Sequence, residues 1–463
     1  MGLVGAATIG RALSWCGRGA VIGAASFALA ACASYQPLSL NTHANLKHKL
    51  SELAHPGVRI DQPLSVYDVA VLAVENNPDL IAARISRGVG RAQVLQAGLL
   101  PNPSISASYL FNLTPVGGDL FDAVAATVTQ DIQKTITMKG RLRSAQAAAL
   151  QVDASVLWEE WQLIGKARLL VFDIIQGEKL RRVLVQYRDT LQDRFDRSRK
   201  ALADGNVTLA TVAPDLAAVS DTRKAFYDLE RQLDTNRHDL NALLGLAPEV
   251  MVPLKSQLQV LQVDSKAVMR ALDDLADRRP DLIALQLGYR SQDEKFRSAI
   301  LGQFPALTFG PSYGRDTADI RTFGPQLTID LPIFDRNQGN IAIERTTRDQ
   351  LRAEFNARLS TARSEVLASL ATQRLLVRQL DEERAELPVL KGFAEQAESA
   401  MKAGNIDERA YVDLVTANYT KQQAVLTLEQ QLLDQEVAIA TLIGAGMPHA
   451  SMPTEAAYEE VGQ

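Results

Sequence analysis

The chain repeats itself. Asn77-Pro78-Asp79-Leu80-Ile81-Ala82 returns as Arg279-Pro280-Asp281-Leu282-Ile283-Ala284, a displacement of 202 that also carries Ala97 onto Ala299, Leu99 onto Leu301 and Pro103 onto Pro305. Farther along, Gly205-Asn206-Val207 returns as Gly404-Asn405-Ile406 at a displacement of 199, which also carries Gly140 onto Gly339 and Leu243-Leu244-Gly245 onto Leu442-Ile443-Gly444. The later copy has therefore lost three residues between segments 110–139 and 312–338. Length changes collect in loops, so each copy is expected to carry a loop there. Gly140 to Gly205 and Gly339 to Gly404 both span 65 residues, an arm length kept equal in the two copies.

Each arm reads as helix, from about Leu142 to Leu202 and from about Ile341 to Ala403. If continuous, it would reach roughly 90 Å at 1.5 Å per residue. The returning arms carry an apolar seam spaced by threes and fours, Phe226, Leu229, Leu233, Asn236, Leu240, Leu243 and then Val425, Leu428, Leu432, Gln435, Ile439, Leu442. That spacing indicates helices packed side by side as in a coiled coil, with an amide at the same step of both seams, either setting register or solvated. Gly205-Asn206 and Gly404-Asn405 supply left-handed residues to end one helix, and Thr208 and Asp407 stand ready to cap the next. Each copy is thus expected to be a very long helical hairpin with a tight tip, kinked or interrupted at Pro214 and Pro388.

Ahead of each long arm lies a stretch with a period of two. Ile105, Ala107, Tyr109, Phe111 and Leu113 alternate with Ser104, Ser106, Ser108, Leu110 and Asn112, and Phe323, Leu327, Ile329 and Leu331 alternate with Thr322, Gly324, Gln326, Thr328 and Asp330. Partner strands near 119–132 and 305–314 are less regular. Alternation over about ten residues suits a membrane barrel strand, apolar toward lipid and polar toward a wet lumen, and equally a soluble half-buried hairpin. Four strands are too few to close a membrane barrel, which takes about eight, so the membrane reading requires an oligomer.

Composition excludes other classes. With 49 basic and 54 acidic residues the net charge is −5, so no basic excess exists to neutralise phosphates and no nucleic-acid partner is expected. The sequence has no His-Glu-x-x-His, no Gly-x-Ser-x-Gly and no phosphate-cradling Gly-Lys-Ser/Thr loop, so neither an enzyme nor a cofactor is expected. His43, His48, His55, His238 and His449 are scattered, and no metal site is expected of them.

The first 31 residues place Arg11 and Arg18 ahead of a short small-apolar run and read as a secretory signal, either a plain one or a lipoprotein signal. Leu29-Ala30-Ala31-Cys32 resembles the lipobox of bacterial lipoproteins, which implies acylation of Cys32. Ala33 follows, where an Asp would resemble an inner-membrane retention signal, so the outer membrane is the expected address.

The lipobox, the tandem copies, Asn77-Pro78-Asp79-Leu80 with Gly98-Leu99-Leu100-Pro101-Asn102-Pro103, and Leu331-Pro332-Ile333-Phe334-Asp335-Arg336-Asn337-Gln338-Gly339 together resemble the outer-membrane factor family, the TolC-type efflux lipoproteins. The first copy is similar in style to the heavy-metal (cobalt, zinc, cadmium) branch. The resemblance implies a mainly α chain with a membrane β-barrel portion. In a homotrimer, each chain gives four strands to one twelve-stranded barrel, and the helical hairpins form a periplasmic α-barrel. It also implies a passive duct in the outer membrane of a Gram-negative bacterium, lipid-anchored, docked on a periplasmic adaptor and an inner-membrane resistance-nodulation-division pump. The cargo would be heavy-metal cations or drugs. The competing reading is a lipid-tethered periplasmic coiled-coil scaffold without a channel, which would bury the alternating apolar residues against its helices.

On this reading residues 32–62 form the anchored N-terminal segment. Residues 63–250 form the first repeat, with strands at about 103–132 and a hairpin at about 141–245. Residues 251–447 form the second, with strands at about 305–333 and a hairpin at about 340–444, and 448–463 form a tail. Ile105, Tyr109, Phe111, Phe323 and Ile329 are the expected lipid-facing residues. The resemblance places the periplasmic gate in the stretch after the second tip. Asp413 aligns there with the first of two gate carboxylates of some members, and Thr416 stands where the second would be. Asp413 is a gate or a solvated acid, and Asp407, the second gate candidate, is better suited to capping. Gly205, Asn206, Gly404 and Asn405 are the candidate adaptor-docking residues, or conformational turn residues alone.

Overall fold

The computed structural model describes residues 35–113, 121–258 and 264–446. The signal segment with Cys32 and the tail lie outside the described residues. Residues 35–46 belong to a separate unit and are exposed without regular structure. All that follows concerns Lys47 onward.

The same order of elements runs twice. The first copy has α1 (Val66–Asn76), α2 (Pro78–Gly98), β1 (Ser104–Leu110), β2 (Ala123–Asp131), α3 (Ile132–Ala203) and α4 (Leu209–Leu244). The second has α5 (Ser265–Asp273), α6 (Leu275–Arg278), α7 (Pro280–Leu301), β3 (Ala306–Arg315), β4 (Arg321–Asp330), α8 (Gln338–Lys402) and α9 (Glu408–Ile443). The chain is therefore mainly α, a tandem repeat of long hairpins with four strands.

Helix α3 has 72 residues and α8 has 65. At 1.5 Å per residue these are about 108 and 98 Å long. The first arm starts ten residues earlier than the periodicity predicts, because Asp131 at the end of β2 caps it, accepting from the Lys134 amide at 2.8 Å. Gly140 consequently lies inside α3, where a Cβ would stand 2.4 Å from Ser298 Oγ, and marks a close crossing with α7 rather than a helix start. Neither proline interrupts its helix, as α4 runs through Pro214 and α8 through Pro388. Each sits in an otherwise well-packed hairpin whose burial outweighs one lost backbone bond.

Both tips close in the same way. The Gly205 amide bonds Leu202 O at 3.0 Å and the Asn206 amide bonds Ala201 O at 2.8 Å, with Gly205 at φ +76°. Gly404 and Asn405 repeat this on Met401 O and Ala400 O, with Gly404 at φ +74°. These paired bonds satisfy the last free carbonyls of each outgoing arm, and the positive φ is why glycine stands there. Asp407 caps α9 through the Ala410 amide at 2.7 Å, whereas Thr208 occupies the cap position of α4 without a side-chain bond.

Helix α3 is the central strut, packed against α1, α2, α4, α7 and α9. Of the predicted seam, Leu233, Asn236, Leu240 and Leu243 are buried, as are Val425, Leu428 and Ile439. Helix α9 also buries Leu433, Val437 and Ala440, because it packs against α3 as well as α8 and so needs a wider apolar face than one seam provides. Asn236 is buried and accepts from Gln232 Nε2 at 2.9 Å, so the seam amide of the first copy is not solvated.

The start of each Pro-Asp-Leu helix is pinned differently. Asn77 caps α2 at the Leu80 amide and donates to Leu243 O at 3.0 Å. Its counterpart Arg279 is fully buried, grips Asp281 at 2.9 and 2.8 Å and lies 4.8 Å over the Trp158 ring. Asp281 also accepts from Arg358 of α8 at 2.9 Å, tying the second hairpin to α7.

Candidate functional site

The four strands form one antiparallel sheet in the order β1-β2-β3-β4. The central pairing joins the two copies, Val124 opposite Arg315 through Asp131 opposite Thr308. Register then assigns every side chain to a face. Ile105, Ala107 and Tyr109 align with Val128, Ala126 and Val124, and across the sheet with Tyr313, Phe309 and Leu307 and then Phe323, Leu327 and Ile329. The other face carries Ser104, Ser106 and Ser108, Thr127 and Thr129, Ser312, and Thr322, Gln326 and Thr328. On it Thr127 Oγ1 meets Ser312 Oγ and donates to Gln326 Oε1, both at 3.1 Å, and Ser104 meets Thr129 at 2.7 Å.

The sheet thus has one hydroxyl-rich face and one mainly apolar face, the latter with Arg315 and Arg321 at its hairpin rim and Gln130 toward its helical end, and the apolar face is uncovered. Ile105, Tyr109, Phe323 and Ile329 of the predicted lipid-facing set are all exposed, Phe323 at 79%, as is Phe111, which lies just past the end of β1. A scaffold that buried these residues against its helices is not what the chain forms. Aromatic rings gather at the hairpin ends of the strands, where Tyr109 and Phe111 lie 4.8 Å apart and Arg315 stands 5.1 Å from the Phe121 ring. Phe304 and Phe334 are exposed at the helical ends. An apolar band with aromatics at both rims matches a barrel wall in a bilayer. Gly310 is demanded by the central pairing, since a Cβ there would lie 1.7 Å from Val128 O. No helix among the described residues is long and apolar enough to cross a membrane.

At the opposite end, Asp413 is exposed on α9 and forms no ion pair among the described residues. Thr416 faces elsewhere. Its hydroxyl donates to Val412 O at 2.7 Å and accepts from Tyr187 of α3 at 3.2 Å. Asp407 is occupied as a cap. Gly205, Asn206, Gly404 and Asn405 are exposed, and a Cβ at either glycine would meet nothing within 4 Å.

Tip groups that sequence reading missed hold the hairpins together. Arg194 of α3 and Asp215 of α4 form a buried pair at 2.7 Å, and Arg197 Nε donates to Glu408 of α9 at 2.8 Å. Tyr187 and Tyr419 stack at 4.0 Å with planes 6° apart. Midway along the hairpins, burial raises Asp173 above the usual carboxylate range, and burial with the Asp173 charge pushes Asp434 up to about 6.

The outer membrane efflux protein family model matches residues 69–246 and 271–445, the two copies in turn. The chain belongs to that family. Outer membrane protein OprJ of Pseudomonas aeruginosa is 25% identical over 369 residues, covering 74% of each chain. The cobalt-zinc-cadmium resistance protein CzcC of Cupriavidus metallidurans is 23% identical over 376 residues, covering 78% of this chain and 85% of CzcC. Among solved structures, the CmeC outer membrane channel of Campylobacter jejuni superimposes with a TM-score of 0.69 at 14% identity, over 93% of this chain and 98% of that one. The family member described here is accordingly an outer-membrane efflux channel protein of Gram-negative type with a long periplasmic extension. Its fold is that of the TolC-type channels.

Proposed function

We propose that three copies assemble into one passive duct, each lending its sheet to a shared twelve-stranded barrel and its hairpins to an α-barrel that reaches into the periplasm. The observation that carries this is the two-faced sheet. β1 and β4 are each paired on one side only, one face is apolar and exposed, and four strands cannot close on themselves. Ile105, Tyr109, Phe111, Phe323 and Ile329 then face lipid, and the serine and threonine face lines a wet lumen. Such a lining offers no strong binding site, consistent with a conduit whose cargo is chosen by the pump.

The duct docks on a periplasmic adaptor and an inner-membrane resistance-nodulation-division pump. Gly205, Asn206, Gly404 and Asn405 are the contact residues, a role supported by their exposure at the two tips. Asp413 forms the constriction, where three carboxylates related by symmetry attract cations and repel one another. The Thr416 hydroxyl, turned to Tyr187, supports a ring of one acid per chain rather than two. Cys32 carries the lipid anchor, and the chain performs no catalysis. Residues 32–62, 63–250 and 251–447 serve as anchor segment, first repeat and second repeat.

The cargo is metal cations or hydrophobic drugs, a reading supported by relatives that include both a cobalt-zinc-cadmium resistance protein and outer membrane proteins of antibiotic and toluene efflux pumps. Growth of a deletion strain, with and without the restored gene, on graded zinc, cobalt, cadmium, copper and a panel of hydrophobic antibiotics tests the assignment. Rescue selective for metals or for drugs identifies the pump served. Sensitivity to neither in a strain with no other outer-membrane efflux protein would refute the duct.

A further inference from the structure

Where hairpin α3–α4 meets α9, the three helices enclose a cavity of about 130 Å³. Its polar lining comes from Asp173 and Gln176 of α3, Gln232 and Asn236 of α4, and Thr427 and Gln430 of α9, with no lysine or arginine among the lining residues. Most donors there are already engaged. Gln430 Nε2 donates to Asp173 Oδ1 at 2.6 Å, Gln232 Nε2 to Asn236 Oδ1 at 2.9 Å, and the Thr427 hydroxyl to Gln423 O at 2.9 Å.

Oxygen acceptors are left over. Gln176 is only 3% exposed and its Oε1 has no partner. One turn along α9 from Gln430, Asp434 has a buried Oδ1 that is also without a partner. Neither Asp173 nor Asp434 forms an ion pair among the described residues. Buried carboxylates and amide oxygens are ordinarily paired, solvated in place or bound to a metal. The volume accommodates an ion with part of its water shell.

We propose that this cavity binds a hard divalent cation, with the Asp173 carboxylate and Gln176 Oε1 as protein ligands and water completing the shell. The donor set is all oxygen, without imidazole or thiolate, which suits calcium or magnesium and disfavours softer metals. Calcium fits best, because it accepts mixed carboxylate, amide and water ligands in irregular geometry, whereas magnesium demands a near-ideal octahedron. An ion here is held directly by α3 and reaches Gln232 and Asn236 of α4 and Thr427 and Gln430 of α9 through its waters, stiffening the junction midway along the hairpins.

The test uses the full-length protein purified in detergent and stripped with chelator. Calcium chloride is titrated by calorimetry and by thermal denaturation, with magnesium, sodium and potassium chlorides in parallel. One saturable calcium site per chain and a Tm that rises with occupancy are expected. Asp173→Asn, which keeps the side chain's shape, should weaken calcium binding roughly tenfold or more while leaving the Tm of the chelated protein unchanged or higher. Gln176→Glu, which adds a ligand charge, should tighten it and lower the chelated Tm. The second variant keeps the test decisive should the first fail to fold. Wild-type protein without saturable calcium binding would overturn the proposal, and so would calcium binding that survives both substitutions unchanged. A Tm that follows pH but no cation would make the cavity a proton site and equally overturn it.

Discussion

Leu327 and Thr328 are adjacent on β4 and point to opposite faces of the sheet, paired across to Phe309 and Thr308. Strand β4 has 10 residues. At about 3.3 Å per residue and a tilt near 40° it rises about 25 Å, the height of the apolar band of an outer-membrane barrel. Leu327 lies within two residues of the strand's middle, so the proposed barrel puts it near the bilayer midplane. An arginine there costs about 2–4 kcal/mol per site. The proposed threefold symmetry multiplies this to about 6–12 kcal/mol per trimer, comparable with the whole net stability of a folded protein, about 5–15 kcal/mol. Leu327→Arg should therefore abolish the heat-modifiable trimer in outer-membrane fractions, while Thr328→Arg, facing water, should leave its amount near wild type and alter conductance instead. Ile329→Arg and Ser106→Arg should divide in the same way. Equal assembly of Leu327→Arg and Thr328→Arg, or the reverse preference, would refute the assignment of faces.

Asp215→Ala should leave Arg194 buried without its partner and cost about 3–5 kcal/mol at the first tip. Hydrogen exchange over residues 191–220 should report the loss, and Arg194→Met with Asp215→Leu should recover most of it. Gly310→Ala should prevent trimer assembly, because its methyl would overlap Val128 O, whereas Gly324→Ala, with nothing within 4 Å of the added carbon, should assemble normally. Asp413→Asn should lower the cation preference of single channels in planar bilayers, most visibly at low salt where screening is weak. Cys32→Ala should reduce membrane retention of unassembled chain more than it reduces the trimer.

Elements governed by a local period were legible in the sequence. The alternation at 104–110 and 322–330 gave the strands and the correct faces, because side-chain direction follows from a period of two alone. Strands β2 and β3 were blurred by Ala-Val-Ala-Ala and Gly-Pro, which break the alternation, and Gly310 is there for close approach to the Val128 backbone. The pairing of β2 with β3 joins positions nearly two hundred residues apart and leaves no local trace. The tips were legible from their Gly-Asn pairs, and the Arg194–Asp215 pair was in principle legible too, since the two lie eleven residues before and ten after Gly205 in a tight hairpin. Nothing in sequence brings Asp173 to Asp434, because the contact arises from α9 packing on α3 across the two copies. The start of α3 lies ahead of the repeat-matched Gly140, which serves a helix crossing instead of bounding the arm.

The two open edges of the sheet carry a genetic consequence. If a barrel closes only when β4 of each chain finds β1 of the next, every subunit holds two of three seams, and no subunit can be defective without breaching the ring. A variant that still joins but cannot seal, such as one whose β4 edge no longer pairs, would poison assemblies rather than merely be absent from them. Co-expressed equally with wild type and mixed at random, it would leave only about one trimer in eight free of it, so its phenotype would be dominant. A null allele would be recessive, and that contrast in a merodiploid strain reads the subunit count directly from inheritance.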